Sequence, residues 1–153
     1  QSLNLFNFVR VKLEEGVVPI KILDVGCGEG VAIRELAEKW RGSLLGFGVD
    51  RFMGERALSS SQVELKRANI LRTLPFSNAF FDIVYANEVL MYFMDDASVF
   101  SIVVECVRVL RSNGVFVFND DKSVAWYETH IIAKMRDSCA FNHEGSCMWL
   151  IKK

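Results

Sequence analysis

Three glycines on alternate positions, Gly26, Gly28 and Gly30, are the residues whose types and spacing most directly suggest chemistry. They follow a short apolar run at 20–25, which predicts a buried strand, and they precede apolar residues at helical spacing in 31–40. A strand, a glycine turn and a helix together bring backbone N–H groups and a helix N-terminus up to a bound ligand. The sequence therefore predicts a ligand-binding turn at 26–30.

An acidic residue ends the next predicted strand. Residues 44–50 are mostly apolar, and the run ends in Asp50, about 22 positions beyond Gly28. A carboxylate at this place accepts hydrogen bonds from both hydroxyls of a ribose. The alternative role for Asp50 is a structural one, as the N-cap of a following helix.

The remaining pattern predicts alternating helices and strands. We predict helices in 1–15, from Asp95 or Asp96 to Arg111, and in 123–136, with a short helical or irregular piece in 52–61. We predict strands in 63–67, 80–86, 115–118 and 148–151, with one more around 140–143 that is either short or missing. Such alternation is typical of a mostly parallel sheet with helices on both faces.

Polar residues collect at the carboxyl ends of the predicted strands, which is the edge where open α/β sheets bind their ligands. Asp24, Asp50, Asn69 and Asn87 all fall there. This convergence is stronger evidence for a binding site than any one motif.

Length and composition indicate one domain spanning residues 1–153. The chain is 51% hydrophobic and has a formal net charge of −1, which gives no general attraction for nucleic acid or anionic lipid. No apolar run approaches the roughly 18 residues of a membrane span, and the N-terminus lacks a signal-peptide pattern. We therefore expect a cytoplasmic protein. The absence of Met at position 1 indicates a processed chain or a piece of a longer one.

The four cysteines are scattered, at positions 27, 106, 139 and 147, which predicts free thiols in a reducing compartment. Cys139, His143 and Cys147 also form a Cys-x3-His-x3-Cys set that offers three metal ligands. Structural zinc usually requires four ligands and tighter cysteine pairs, so we expect no metal here.

Four segments in this order resemble the class I S-adenosylmethionine-dependent methyltransferases, in particular the group that includes the ubiquinone and menaquinone biosynthesis enzymes. They are ILDVGCGEG at 22–30, GVD at 48–50, LPFSNAFFDIVYANEVLMYF at 74–93 and RVLRSNGVFVF at 108–118. The resemblance implies a Rossmann-like α/β sandwich, with a mostly parallel sheet, an antiparallel final strand and helices on both faces. It also implies methyl transfer from S-adenosyl-L-methionine to an unidentified acceptor, with S-adenosyl-L-homocysteine as product.

The same resemblance assigns cofactor contacts along the chain. It places Asp24, Gly26, Cys27, Gly28 and Gly30 around the methionine moiety, and Asp50 on the ribose hydroxyls. It places Arg51, Asn69 and Ile70 around the adenine, and Asn87 near the methionine end. Asn69 stands where the family often has an aspartate, and its amide oxygen can still accept a hydrogen bond.

The acceptor side is less defined. Glu88 and Tyr92 are candidates for the substrate cleft, and no catalytic base is assigned among the residues near the predicted rim, which also include Asp120, Asp121 and His130. His130 lies within a predicted helix and is interpreted as structural. Few residues remain after the fifth strand, so the acceptor site is expected to be open, or to be completed by a second copy or a partner chain. A small-molecule acceptor is favoured, and nucleic acid is not indicated.

Two other functions fit parts of the pattern. One is a module that keeps the fold and the binding site without turnover, which the short C-terminal part favours. The other is a nicotinamide-dependent oxidoreductase. Val31, in place of the last glycine of the Gly-x-Gly-x-x-Gly fingerprint, argues against it.

Overall fold

The computed structural model describes residues 5–54 and 59–153. Its helices are α1 (Leu5–Glu14), α2 (Val31–Lys39), α3 (Asp96–Val109) and α4 (Val124–His130), with 3-10 turns at Leu90–Tyr92 and Ile132–Lys134. Its strands are β1 (Ile20–Val25), β2 (Leu44–Asp50), β3 (Val63–Arg67), β4 (Phe81–Asn87), β5 (Leu110–Asn119), β6 (Cys139–Glu144) and β7 (Cys147–Lys152).

The strands form a single sheet in the order β3-β2-β1-β4-β5-β7-β6. Strands β1 to β5 pair in parallel, and β7 runs antiparallel to both of its neighbours, β5 and β6. The predicted α/β architecture with an antiparallel final strand is therefore confirmed. The strand around 140–143 exists as β6. Among the described residues, no helix is long and apolar enough to cross a membrane.

Both faces of the sheet are covered, because successive side chains of a strand point to opposite sides. Along β1, Ile20 and Ile22 pack into a core with α1 and α2, whereas Leu23 and Val25 pack into a core with α3 and α4. This explains why β1 and β4 are almost continuously apolar in sequence. The same alternation places Asp24 on the face of α1 and α2.

The connection from β3 to β4 contains Asn69 and Ile70, and α3 anchors it. The Arg108 guanidinium donates to the carbonyls of Leu74 and Phe76, at 3.1 and 3.0 Å. It also pairs with Glu105 at 2.8 Å, and Glu105 accepts the Leu74 N–H at 2.7 Å. This partly buried network fixes an otherwise irregular segment that follows Asn69 and Ile70 in the chain.

The structure corrects three predicted elements. Helix α3 ends at Val109 rather than Arg111, because Leu110 is already extended and begins β5. Strand β5 is therefore ten residues long and includes Ser112 and Asn113, where the sequence predicted the end of a helix. A register shift between β4 and β5 and the positive φ of Asn113 (63°) allow these two residues to belong to the strand. The predicted helix over 123–136 is α4, seven residues long, followed by a 3-10 turn.

The other predicted helices and strands agree with the structure. Part of the piece predicted in 52–61 lies outside the described residues, as do the first four residues of the predicted helix in 1–15.

Candidate functional site

The glycine turn after β1 is held against the end of β2. The N–H groups of Gly26 and Cys27 both donate to the Val49 carbonyl, at 2.8 and 3.0 Å. Gly26 has a φ of 78°, and a Cβ added there would lie 2.6 Å from Val89 Cγ2. Gly28 also has a positive φ, but nothing lies within 4 Å of a Cβ added to it, so it borders open space. Gly30 is the N-cap residue of α2.

Asp50 ties this turn to the residues that follow β2. Its Oδ2 accepts the Gly28 N–H at 2.9 Å and its Oδ1 accepts the Phe52 N–H at 2.7 Å. Residues 51–54, which follow Asp50 directly, are not helical, so Asp50 does not cap a helix within these described residues. Each carboxylate oxygen accepts more than one hydrogen bond, so both keep capacity for a ligand.

A cavity of about 480 Å³ opens between the ends of β1, β2, β3 and β4. Phe52, Tyr92 and Phe93 contribute aromatic walls, and Asp50 contributes the carboxylate. The Asn69 side-chain oxygen accepts the Leu71 N–H at 3.0 Å, which fixes the orientation of its amide. The full lining consists of Gly26, Asp50, Arg51, Phe52, Asn69, Ile70, Leu71, Val89, Tyr92 and Phe93.

A second cavity, of about 780 Å³, lies on the α1 and α2 face of the same sheet edge. Gly26 lines both cavities, so they meet at the glycine turn. The polar groups of this cavity come from the ends of β1 and β4 and from α2. Its lining is Leu5, Phe6, Asp24, Gly26, Cys27, Ala32, Glu35, Leu36, Lys39, Tyr85 and Asn87.

Asp24 is the buried acid of the second cavity, with only 5% of its surface exposed. Burial raises the pKa of Asp24 to about 7, and the nearby negative charge of Asp50 also raises it. Hydrogen bonding with the Tyr85 hydroxyl lowers the pKa, but by less than burial raises it. Burial and the charges of Asp24 and Asp50 also raise the pKa of the Cys27 thiol to about 12. Cys27 is therefore a protonated thiol at neutral pH and is a poor nucleophile.

The end of β4 turns sharply into the segment that follows it. Glu88 has a φ of 55°, which is uncommon for a residue with a side chain. The buried Asn119 side chain, at the end of β5, accepts the Glu88 N–H at 2.8 Å and holds this turn. Glu88 is directed to a small cavity of about 190 Å³ with Asp120, Asp121 and Ser146, so it lies apart from Tyr92 in the 480 Å³ cavity.

Asp120 forms a buried network beside this turn. Its carboxylate accepts hydrogen bonds from the Tyr127 hydroxyl and, at 3.2 Å, from Lys122 Nζ. Burial acts to raise the pKa of Asp120, but its hydrogen bonds with Asp121, Tyr127 and Lys122 outweigh burial and lower the pKa. Asp120 is therefore held as a carboxylate in a structural role. His130 stacks on Trp126, with ring centroids 4.7 Å apart, and lines none of these three cavities.

The structure thus brings most predicted site residues to one edge of the sheet. Asp50, Arg51, Asn69, Ile70 and Tyr92 line one cavity, and Asp24, Cys27 and Asn87 line the other, with Gly26 between them. Gly28 and Gly30 shape the turn without lining either cavity. The sequence analysis missed Tyr85 and Phe52, because an aromatic residue within or after an apolar strand is usually part of the core.

The Cys-x3-His-x3-Cys set is not assembled. Cys139 and His143 lie four residues apart along β6, roughly 13 Å at the usual rise per residue. Cys139 pairs in register with Lys152, whereas Cys147 pairs with Glu144 at the other end of the hairpin. Within residues 5–54 and 59–153, no group of three potential ligands is arranged to hold a metal ion.

Residues 23–118 match the family model described as a methyltransferase domain. This match covers more than half of the chain, and the chain belongs to that family. The matched range includes the second half of β1, all of β2 to β4, most of β5 and all the residues that line the 480 Å³ cavity.

Individual proteins extend this finding. The chain is 26% identical over 143 residues to a malonyl-[acyl-carrier protein] O-methyltransferase of Legionella pneumophila, which covers 86% of this chain and 49% of the relative. It is 32% identical over 114 residues to sterol 24-C-methyltransferase ERG6A of Gibberella zeae, covering 70% of this chain and 28% of the relative. This chain therefore spans half or less of the length of these two relatives.

The fold has solved counterparts. One is a TehB-like SAM-dependent methyltransferase from Corynebacterium glutamicum, with a TM-score of 0.71 and 15% identity over 95% of this chain and 87% of that chain. At this level of identity the comparison shows a shared fold, and it agrees with the Rossmann-like class expected from the sequence.

Proposed function

We propose that this chain is a methyltransferase domain that binds S-adenosyl-L-methionine and transfers its methyl group to an acceptor. The observation that carries the proposal is the pair of cavities joined at Gly26, one containing Asp50 and the other containing Asp24. Open α/β sheets bind ligands at this edge. Family membership supports the same reaction.

The residues of the smaller cavity fit the adenosine part of this cofactor. Asp50 is already oriented by two backbone N–H groups, and its remaining acceptor capacity suits the two ribose hydroxyls. Phe52, Ile70 and Tyr92 supply apolar surface for the flat base, with Arg51 and Asn69 at its margin. Preorganised acceptors of this kind favour binding because little side-chain freedom remains to be lost.

The residues of the larger cavity fit the amino-acid part. Asp24 supplies a carboxylate for the ammonium group, beside the backbone of Gly26 and Cys27. Asn87, at the exposed end of β4, lies in the same cavity and is assigned to the reacting end of the cofactor. Gly28 and Gly30 act through the shape of the turn.

When bound, S-adenosylmethionine supplies a methyl group on a sulfonium sulfur; the acceptor's electron pair forms the new bond to carbon as the carbon–sulfur bond breaks, and its electrons remain on sulfur. The chain's own contribution is to align donor and acceptor and to exclude water. Glu88 and the exposed part of Tyr92 are proposed to border the acceptor from two separate cavities, Glu88 from the 190 Å³ cavity and Tyr92 from the 480 Å³ cavity that also holds the base. No side chain is assigned as a base, and the acceptor's proton can leave to solvent.

The acceptor side is proposed to be open in this chain. A small-molecule acceptor is favoured, and a second copy or a partner chain is proposed to complete the cleft. All four cysteines are free thiols, which supports a reducing, cytoplasmic location.

The proposal is tested by calorimetric titration with S-adenosylhomocysteine. The wild-type chain is expected to bind in the micromolar range, and Asp50→Ala is expected to reduce the affinity by at least tenfold. Asp137→Ala, which removes an exposed carboxylate distant in sequence from the site, is the matched control and should bind as the wild type does. Absence of wild-type binding would overturn the proposal for this chain.

Methyl transfer to a panel of oxygen, nitrogen and carbon acceptors then separates the enzyme from a binding module. If this chain and a longer form of the protein both bind S-adenosylhomocysteine but transfer a methyl group to none of the acceptors, the domain keeps the binding site without turnover.

A further inference from the structure

Asp24 and Tyr85 are register partners on the parallel strands β1 and β4. Partners in adjacent strands present their side chains on the same face, so the carboxylate and the phenol stand side by side. Both are buried, with 5% and 3% of their surfaces exposed, and both line the 780 Å³ cavity. The Tyr85 hydroxyl acts on the Asp24 carboxylate directly, because it lowers the pKa of Asp24 against the larger, raising effect of burial.

This arrangement is unusual for the interior of a strand pair. Tyr85 lies on the face where Ile22 and Ile83 form an apolar core, and a hydroxyl there requires a polar partner. Asp24 also requires a hydrogen-bonding partner in this position, because a buried carboxylate is costly to ionise. Each residue therefore supplies the polar partner that the other requires, and the pair lies where this core borders the 780 Å³ cavity.

We propose that Tyr85 is a positioning residue for the cofactor: its hydroxyl holds the Asp24 carboxylate at the cavity wall so that the carboxylate binds the ammonium group of the cofactor's amino-acid end. This inference rests on the proposed function and adds a residue to it. Tyr85 acts through Asp24 and makes no bond to the reacting methyl group.

The other charged groups around Asp24 make a cation the favoured occupant. Asp50, from the end of β2, adds negative charge near Asp24, and the neutral Cys27 thiol lies in the turn. Helix α2 contributes Glu35 and Lys39 to the same cavity, and α1 contributes the apolar Leu5 and Phe6. A ligand ammonium beside Asp24 would be attracted by both aspartates.

The pairing has a consequence for pH dependence. Because burial raises the pKa of Asp24 to about 7, the carboxylate takes up a proton as the pH falls through neutrality. An ammonium group binds the ionised form, so affinity for S-adenosylhomocysteine should fall between pH 8 and pH 6. Loss of the Tyr85 hydrogen bond would raise the pKa further and move this fall to higher pH.

The test measures binding of two ligands from pH 6 to pH 8.5 by calorimetry. S-Adenosylhomocysteine carries the amino-acid end, whereas 5′-methylthioadenosine lacks it. Tyr85→Phe is expected to weaken S-adenosylhomocysteine binding about tenfold at pH 7, with recovery towards the wild-type affinity at pH 8.5. Its affinity for methylthioadenosine should equal that of the wild type at every pH.

Asp24→Asn provides the second variant. It should bind S-adenosylhomocysteine weakly and with no dependence on pH, and adding Tyr85→Phe to it should cause no further loss. Thermal unfolding by circular dichroism verifies that each variant is folded.

The outcomes separate this inference from the proposed function. If the wild type binds neither ligand, the proposed function fails. If the wild type binds both but Tyr85→Phe binds S-adenosylhomocysteine as the wild type does across the pH range, or weakens both ligands equally, the role of Tyr85 is overturned.

Discussion

The Asp50 carboxylate accepts the Gly28 N–H at 2.9 Å, which joins the end of β2 to the turn that follows β1. The other carboxylate oxygen accepts the Phe52 N–H, so one side chain joins the glycine turn to the segment after β2, which contributes Phe52 to the 480 Å³ cavity. Asp50, which is predicted to bind a ribose, thus also holds the neighbouring backbone in place. Its effects on binding and on stability should therefore appear together.

Asp50→Asn should show this double role. An amide has one accepting oxygen instead of two, so the Gly28 N–H or the Phe52 N–H loses its partner. We expect a loss of about 1 kcal/mol in the free energy of unfolding, because water can reach this half-exposed position in part. Urea denaturation measures it, with Asp137→Asn as the control. A variant as stable as the wild type would mean that neither hydrogen bond contributes to folding.

The glycines of the turn should differ in their tolerance of substitution. Gly26→Ala places a Cβ 2.6 Å from Val89 Cγ2 at a φ of 78°, whereas Gly28→Ala meets no atom within 4 Å at a φ of 55°. Both replacements are strained, and only the first also forces a packed side chain to move. We expect Gly26→Ala to lower the free energy of unfolding by about 2 kcal/mol more than Gly28→Ala.

A double variant isolates the contact. Val89→Ala shortens the obstructing side chain and should recover part of the stability of Gly26→Ala, although it is itself destabilising in the wild type. If the effects of Gly26→Ala and Val89→Ala simply add in urea denaturation, the contact is not the cause.

Arg108 should support the cofactor site from a distance. It donates to the carbonyls of Leu74 and Phe76 and pairs with Glu105, which together fix the connection between β3 and β4. Arg108→Ala removes these bonds, so we expect a loss of about 2 kcal/mol in stability and a several-fold weaker affinity for S-adenosylhomocysteine. Arg108→Lys keeps the charge but not the geometry of the guanidinium, and should recover little. The exposed Arg136→Ala is the control in both measurements.

The parts of this fold that the sequence could predict are those with a local cause. Strands β1, β2 and β4 are mostly apolar because both faces are buried, and the ends of such strands meet at one edge in a parallel sheet. Asp24, Asp50, Asn69 and Asn87 could therefore be assigned to that edge from position alone.

The parts that could not be predicted depend on pairing between distant strands. The polar start of β5 is extended only because it pairs with β4 across a register shift, and local spacing favours a helix end there. The Tyr85 and Asp24 pair becomes visible only when β1 and β4 are known to be adjacent. The same is true of Asn119, whose side chain fixes the turn at Glu88.

Asp24 should make the stability of the fold depend on pH. Burial raises its pKa from 3.8 to about 7, so between these values the folded state binds a proton that the unfolded state has already lost. The part of the free energy of unfolding that depends on protonated Asp24 is therefore present in full below about pH 4. It decreases as the pH rises through 7, by roughly 4 kcal/mol if the carboxylate remains fully buried. Asp24→Asn carries no charge at any pH, so its stability relative to the wild type should increase from pH 5 to pH 8. Urea denaturation of both proteins at these two values measures the difference, and a constant difference would show that Asp24 ionises at its ordinary pKa. Saturating S-adenosylhomocysteine should raise wild-type stability more at pH 8 than at pH 6, because the ligand's ammonium group compensates the ionised carboxylate.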